Sequence, residues 1–382
     1  MVATSPRPPQ LGERSRRDLA APWRHVDMVL VLAALCVAVL GVTMVYSATK
    51  GHIGPPNRSF LMRQGSFMVL GVVLMAAMSL IDYRRLKQYA VPIYAAMVLL
   101  LTLVVSPLGS EAKGAQAWFA VGSFKFEPSE ISKLALVIAL ATVLSNWVDE
   151  LDLRRLGVLL GIAGVPLTLV MLQPDLGTAL VFVALTVAML SVGGVKGRHL
   201  AVLTLVGVIG VVGVLKSDVL AEYQKARLTT FLDPSQNQAG TAFNLNQSMI
   251  TITRGGLTGD GLFKGRQTQL NYVPEQQTDF IFTAVAEELG FIGAAVLLIL
   301  YSVIIWRIWR TAKLSRDRFG SLLCVGILAI LTFHIFENIG MTMGIMPVTG
   351  IPLPLMSYGG SSTVATFLGL GIVLNVHMHR FR

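Results

Sequence analysis

Five ionisable residues stand where an apolar chain has little reason to place them: Glu130, Lys133, Asp175, Glu275 and Asp279. All lie at the margins of hydrophobic stretches, where a charge is costly unless it has a partner or a use. Glu130 and Lys133 are three residues apart, which puts them on one helical face and lets them pair. Pro128 suits the first turn of that helix, because its missing N–H is not needed there. Asp175 follows Pro174 at a second helix start, and Glu275 and Asp279 flank a third. The positive end of a helix dipole favours an ionised carboxylate, so Asp279 is expected to be a charged base at neutral pH unless buried.

The elements that must position these groups follow from composition. The chain has 382 residues, 54% hydrophobic and 14% charged, against about 25% charged in soluble domains. A membrane-spanning helix needs roughly 20 mostly apolar residues, and about ten such windows are legible. They lie near 26–47, 60–81, 89–108, 128–147, 156–173, 175–194, 199–216, 279–306, 319–345 and 361–378. The expected fold is therefore all-α and polytopic, one transmembrane domain over 26–382 behind a polar, disordered tail at 1–25. The first helix is too long for a signal-peptide core and lacks a plausible cleavage site, so no cleavage is expected.

Most of the 31 basic residues gather in alternate segments: Arg7 to Arg24, Arg84 to Lys87, Arg154 and Arg155, Lys196 and Arg198, Arg307 to Arg318, and Arg380 with Arg382. The positive-inside rule then puts both termini in the cytoplasm, which requires an even number of helices. This bias and contact with anionic headgroups account for the net charge of +10, and no nucleic-acid partner is expected. The topology leaves extracytoplasmic loops at about 109–127, 217–277 (between helices 7 and 8) and 347–360. All five ionisable residues fall on that outer side. Any one of them could be a plain N-terminal cap or salt-bridge partner; five on one side beside a long loop suggest a site. A loop of that length in a compact bundle is functional or disordered, and 242–256 carries the pattern of a short helix across the bundle mouth.

Other polar positions carry less. Glu287 and Glu288 sit two to three turns below Asp279 by the helix rise, so at least one is expected to be buried and hydrogen-bonded. Glu337 and Asn338 interrupt the ninth helix, either as polar glue between helices or as substrate groups. Trp118 is an interfacial anchor or a sugar-stacking platform. His334 has no second histidine at ligand spacing and reads as a satisfied interior residue. Cys36 and Cys324 form no redox or metal motif, and there is no Walker loop, GxGxxG or HExxH. Residues 347–362 hold three prolines and three glycines. Such backbone cannot face lipid, so it must line a cavity or be buried by protein.

Taken in order, these segments resemble the SEDS family, the shape, elongation, division and sporulation proteins of bacteria. The resemblance is carried by Gly114-Ala-Gln-Ala-Trp118, Glu127-Pro-Ser-Glu130 with Lys133, and Gln173-Pro-Asp-Leu-Gly-Thr-Ala179. It continues through Arg227 with Phe231-Leu-Asp-Pro234, Asn244-Leu-Asn-Gln-Ser248, and Val273 to Phe282. Glu287-Glu-Leu-Gly290 and Asn338-Ile-Gly-Met341 through Ser362 complete it. The last of these look more like the elongation branch than the division branch. Family membership implies a peptidoglycan glycosyltransferase that polymerises lipid II at the outer leaflet of the cell membrane, with Asp279 as catalytic residue. It implies a polar cavity around Glu130, Lys133, Asp175 and Glu275, and it adds Arg227, Trp118, Gln247 and Ser357 to the substrate-binding set. Many members carry Arg or Ser where this chain has Ala117, so the grip on the donor's phosphates would fall to Arg227 or Lys133.

The reaction so implied has a sugar hydroxyl of one lipid-linked disaccharide attack the anomeric carbon of a strand linked to undecaprenyl pyrophosphate. A carboxylate must take the hydroxyl proton, and the departing pyrophosphate needs positive charge. A divalent cation such as Mg²⁺ suits that task, with Asp279 and Glu275 as candidate ligands. A class B penicillin-binding protein is the implied transpeptidase partner. Two other classes stay open: a lipid II flippase, which would need the deep Glu287, Glu288 and Glu337 as pathway groups, and a non-enzymatic scaffold. A division-type role is a further alternative.

Overall fold

The computed structural model describes residues 25–50, 58–112, 115–122, 124–147, 152–216 and 240–380. Residues 1–24 of the expected tail, and 217–239 of the long loop with Arg227, lie outside the described residues. Helices α1 (Met28–Lys50), α2 (Arg58–Leu80), the short α3 (Arg84–Gln88) and α4 (Ala90–Val105) come first. Strands β1 (Ser110–Ala112), β2 (Ala115–Val121) and β3 (Phe124–Phe126) follow. Then come α5 (Pro128–Asn146), α6 (Leu153–Leu172), α7 (Leu176–Val192) and α8 (Gly197–Lys216). The last five are α9 (Thr241–Arg254), the short α10 (Arg266–Gln269), α11 (Ile281–Leu314), α12 (Arg318–Thr342) and α13 (Gly360–Met378).

Each of the ten apolar windows falls on one of these helices. Among the described residues, seven are long and apolar enough to cross a membrane, while α4 and α7 are shorter apolar helices. The chain is an all-α, multi-pass membrane protein. Helix α12 is its hub, packing against α5, α7, α11 and α13. Most of its residues are buried among these neighbours, including the polar His334, Glu337 and Asn338, while Phe336 stays exposed. Helix α1 instead buries one stripe of mostly small residues, Ala33, Ala34, Val37, Ala38 and Gly41, against its neighbours. Its other face keeps Met28, Val29, Leu32 and Val39 exposed, as a lipid-facing surface requires. Small residues let backbones approach closely in lipid, and Gly41 shows why: a Cβ there would stand 2.3 Å from the Leu355 carbonyl oxygen. That contact presses the Pro-rich segment onto α1.

Polar clamps close the end of the bundle where α1 begins and α13 ends. Arg307 donates from Nε to Asp27 at 2.7 Å, the Tyr83 hydroxyl donates to Asp317 at 2.7 Å, and Asn375 bridges the Tyr83 N–H and the Ser79 carbonyl. Groups that would otherwise be unpaired near the membrane thus satisfy one another.

Two features are not legible in the hydropathy. The 109–127 segment is a three-stranded antiparallel meander, with Phe119 opposite Phe126 and Ala120 opposite Lys125. In addition, α11 breaks at Gly290, whose φ of 64° and ψ of −165° suit only glycine. At that break the backbone of Gly256 to Gly261 docks: Asp260 and Gly261 donate to the carbonyls of Glu287 and Glu288, and Phe291 and Ile292 donate to those of Gly256 and Leu257. The 256–261 part of the long loop is therefore stitched to the first half of α11, and the expected helix at 242–256 is α9, packed on α11 and α12.

Candidate active site

A cavity of about 480 Å³ opens at the end of the bundle where α5 and α7 begin, the size of a small-molecule site. Its walls come from α2, the β2–β3 hairpin, the starts of α5 and α7, the turn before α11, α12 and the Pro-rich segment. Four of the five ionisable residues singled out by position line it: Glu130, Asp175, Glu275 and Asp279. Trp118 from β2 lines it as well.

Asp279 is held by its backbone. Its N–H donates to the Glu275 carbonyl at 3.1 Å, and Glu275 itself sits at φ 54°, which folds 275–279 into a tight turn. Asn338, fully buried on α12, donates from Nδ2 to the Asp279 carbonyl at 2.8 Å and to the Ile351 carbonyl at 2.8 Å. The Tyr358 N–H donates to the Gln277 carbonyl at 2.8 Å. Two elements of the Pro-rich segment and one helix thus fix the backbone that carries the Asp279 side chain.

Glu130 and Lys133 form the expected pair at 2.7 Å, and both are nearly inaccessible, at 4% and 2% exposure. Lys133 Nζ also lies 3.0 Å from His334 Nε2, while His334 Nδ1 is 3.2 Å from the Pro352 carbonyl. A carbonyl only accepts, so Nδ1 carries the hydrogen and Nε2 accepts from the lysine. The ammonium is held between Glu130 and His334, behind the cavity wall rather than in it. Asp175 serves two roles: Oδ1 accepts the Thr178 N–H at 3.0 Å, capping α7, and the residue still lines the cavity.

A family model described as a cell cycle protein family, covering FtsW, RodA and SpoVE, matches residues 27–382. The chain belongs to this family. Stage V sporulation protein E of Bacillus subtilis (strain 168) is 38% identical over 356 residues, which is 92% of this chain and 96% of that protein. Peptidoglycan glycosyltransferase MrdB of Escherichia coli (strain K12) is 36% identical over 357 residues, 93% of this chain and 94% of that one. Among solved structures, a chain described under structural coordination of polymerization and crosslinking by a peptidoglycan synthase complex matches with TM-score 0.80 and 34% identity. It covers 94% of this chain and 99% of that one. The rod shape determining protein RodA of Thermus thermophilus matches with TM-score 0.71 and 32% identity, over 94% of this chain and 98% of that one. By this membership the chain is a SEDS protein and a peptidoglycan glycosyltransferase.

Not every expected site residue of this SEDS protein reaches the cavity. Gln247 lies on α9, away from the lining residues. Ser357 is buried and accepts the Leu353 N–H at 2.8 Å through Oγ, so it shapes the Pro-rich segment from behind. Lys133 is committed as described. Glu287 and Glu288 are both buried, and both are occupied by the outer loop: Glu287 accepts from Gln267 N, Thr268 N and Thr268 Oγ1, and Glu288 from Phe263 N and Ser47 Oγ. Glu337 accepts from Thr349 Oγ1 at 2.9 Å, bracing a cavity-lining residue. Among the described residues no three His, Cys, Asp or Glu side chains gather as metal ligands; Asp279 and Glu275 are two carboxylates on the cavity wall, and Mg²⁺ in phosphate-transfer sites is held by one or two carboxylates together with the substrate's phosphates.

The structure adds three charged lining residues that position alone did not single out: Arg63 on α2, Lys125 on β3 and Glu127 before α5. Arg63 had a signal, as an arginine inside an apolar window near its outer end. Lys125 and Glu127 are two residues apart in extended chain, hence on one face, but that reading needs the strand to be recognised. The structural role of Asn338 gives a testable outcome. In Asn338→Ala the Asp279 and Ile351 carbonyls lose their donor, at about 1–3 kcal/mol for each buried group left unsatisfied. Melting in detergent should fall accordingly, and turnover should fall further than lipid II binding because Asp279 loses its anchor.

Proposed function

We propose that this cavity polymerises lipid II into glycan strands on the outer face of the cell membrane. The observation that carries the reading is Asp279, fixed by its backbone in a polar cavity that also holds Arg63 and Lys125. The acceptor's sugar hydroxyl gives its proton to the Asp279 carboxylate while its oxygen bonds to the anomeric carbon of the lipid-linked strand. The bond from that carbon to the diphosphate oxygen breaks, and the electron pair leaves with undecaprenyl pyrophosphate. Arg63 and Lys125, not Lys133, are the cations placed to meet that charge. Trp118 offers an aromatic face to a sugar ring.

Of the groups a flippase would need deep in the bundle, Glu287 and Glu288 are taken up by the long loop and Ser47, and Glu337 braces Thr349 through one oxygen, which favours polymerase over transporter. Placement of the termini in the cytoplasm rests on the positive-inside pattern. A transpeptidase partner of the class B penicillin-binding type is supported by the likeness to a chain of a peptidoglycan synthase complex. Identity is nearly level between sporulation and elongation relatives, at 38% and 36%, so the elongation role rests on the Asn338–Met341 and 347–354 motifs.

The test uses purified protein and labelled lipid II in detergent micelles, where there is no second leaflet to flip to. Uncross-linked strands are the expected product. Scrambling of labelled lipid II in vesicles with no strands in micelles would establish the flippase instead.

A further inference from the structure

Glu127 is the residue of the cavity wall that neither the helix nor the mechanism so far uses. It occupies the N-cap position of α5, yet its side chain makes no capping hydrogen bond. Its backbone N–H donates to Ser361 Oγ at 3.0 Å, and its carboxyl Oε1 accepts from Ser129 Oγ at 2.7 Å. The side chain is therefore oriented from both ends while it lines the cavity. Lys125, two residues earlier in extended chain, lines the same wall. We propose that Glu127 acts on the donor as a neutral carboxylic acid, giving a hydrogen bond from Oε2 to the departing diphosphate beside Lys125. This rests on the glycosyltransferase reading above.

The surroundings keep the acid protonated. Burial pushes the Glu127 carboxyl up to about 8, with the negative charges of Glu130 and Asp175 adding to it. Ser129 and Lys133 pull the other way without cancelling this. Lys125 and Arg63 also face the cavity, and Asp279, Glu275 and His334 face it from the opposite elements. An ionised Glu127 would set a like charge against the diphosphate, whereas the neutral acid is a donor. A bound diphosphate raises the proton affinity of Glu127 further, so substrate strengthens the state it needs. No proton transfer is required, because diphosphate is a competent leaving group once it is hydrogen-bonded and faced by cations.

The sign of the pH dependence follows. Strand formation should hold at neutral pH and fall as pH rises through about 8 and above, as Glu127 loses its proton. Glu127→Gln supplies an N–H donor at every pH, so it should be clearly faster than Glu127→Ala at neutral pH and lose the alkaline decline. Glu127→Ala removes the donor and should lower the rate about 10- to 100-fold, the loss of one hydrogen bond to a charged group. Rates of lipid II polymerisation across this range, with melting measured for each variant, decide it. An unchanged alkaline decline in Glu127→Gln, a correctly folded Glu127→Gln as slow as Glu127→Ala, or Glu127→Ala at wild-type rate would each overturn the proposal. Absence of strands from the wild type would sink the glycosyltransferase reading, and this proposal with it.

Discussion

Lys133→Met should destabilise the protein by about 3–5 kcal/mol, the usual cost of removing one partner of a buried ion pair. The methionine fills most of the lysine stem's volume, so packing is nearly conserved and the loss is electrostatic. What remains is Glu130, 4% exposed and without the ammonium now 2.7 Å away, and His334 Nε2 without its donor. His334 in turn holds the Pro352 carbonyl, so the cavity wall loosens with the pair. The double variant Glu130→Gln, Lys133→Met removes both charges and should recover most of the stability, since a neutral pair leaves no uncompensated charge. Thermal unfolding of both variants in detergent checks this; a single variant that melts with the wild type would show that Lys133 is solvated rather than buried.

The membrane bundle was legible because lipid leaves a coarse trace. A run of about 20 apolar residues has few alternatives to a spanning helix, and all ten windows carry helices. The Pro-rich segment was legible for the complementary reason: backbone that cannot be a lipid-facing helix must be covered by protein, and Leu353, Leu355, Met356 and Ser357 are indeed buried. Glu130, Asp175, Glu275 and Asp279 were found by their position at helix starts on one side, and the cavity gathers all four.

What escaped depends on local geometry that hydropathy does not encode. The meander at 110–126 is three short strands, with β2 and β3 joined across a turn at Gly122 (φ 62°), so Lys125 and Glu127 read as loop residues. Gly290 looks like any glycine in an apolar helix until the docking of Gly259 against Glu288 shows that α11 must break there. That break also changes the meaning of Glu287 and Glu288. On a continuous helix they are deep intramembrane acids; on a broken one they are the posts to which the outer loop is tied. Lys133 stood beside Arg227 as a candidate for the phosphate grip; sequence spacing shows its pairing with Glu130 but not the histidine on α12 that closes its other side.

Asp279→Asn carries the largest expected effect on activity. The amide keeps the size of the side chain, and the bonds from the backbone N–H to Glu275 and from Asn338 to the carbonyl stay in place, so the fold and lipid II binding should be unchanged. The amide cannot accept the hydroxyl proton, and the loss of a positioned general base lowers the rate by about 10²–10⁴-fold. The most direct test is strand formation from lipid II by purified wild-type and Asp279→Asn protein, with melting and lipid II binding followed in parallel. Strands from the wild type, with that loss in a variant that melts and binds normally, is the predicted result. Strands from Asp279→Asn at the wild-type rate would contradict it.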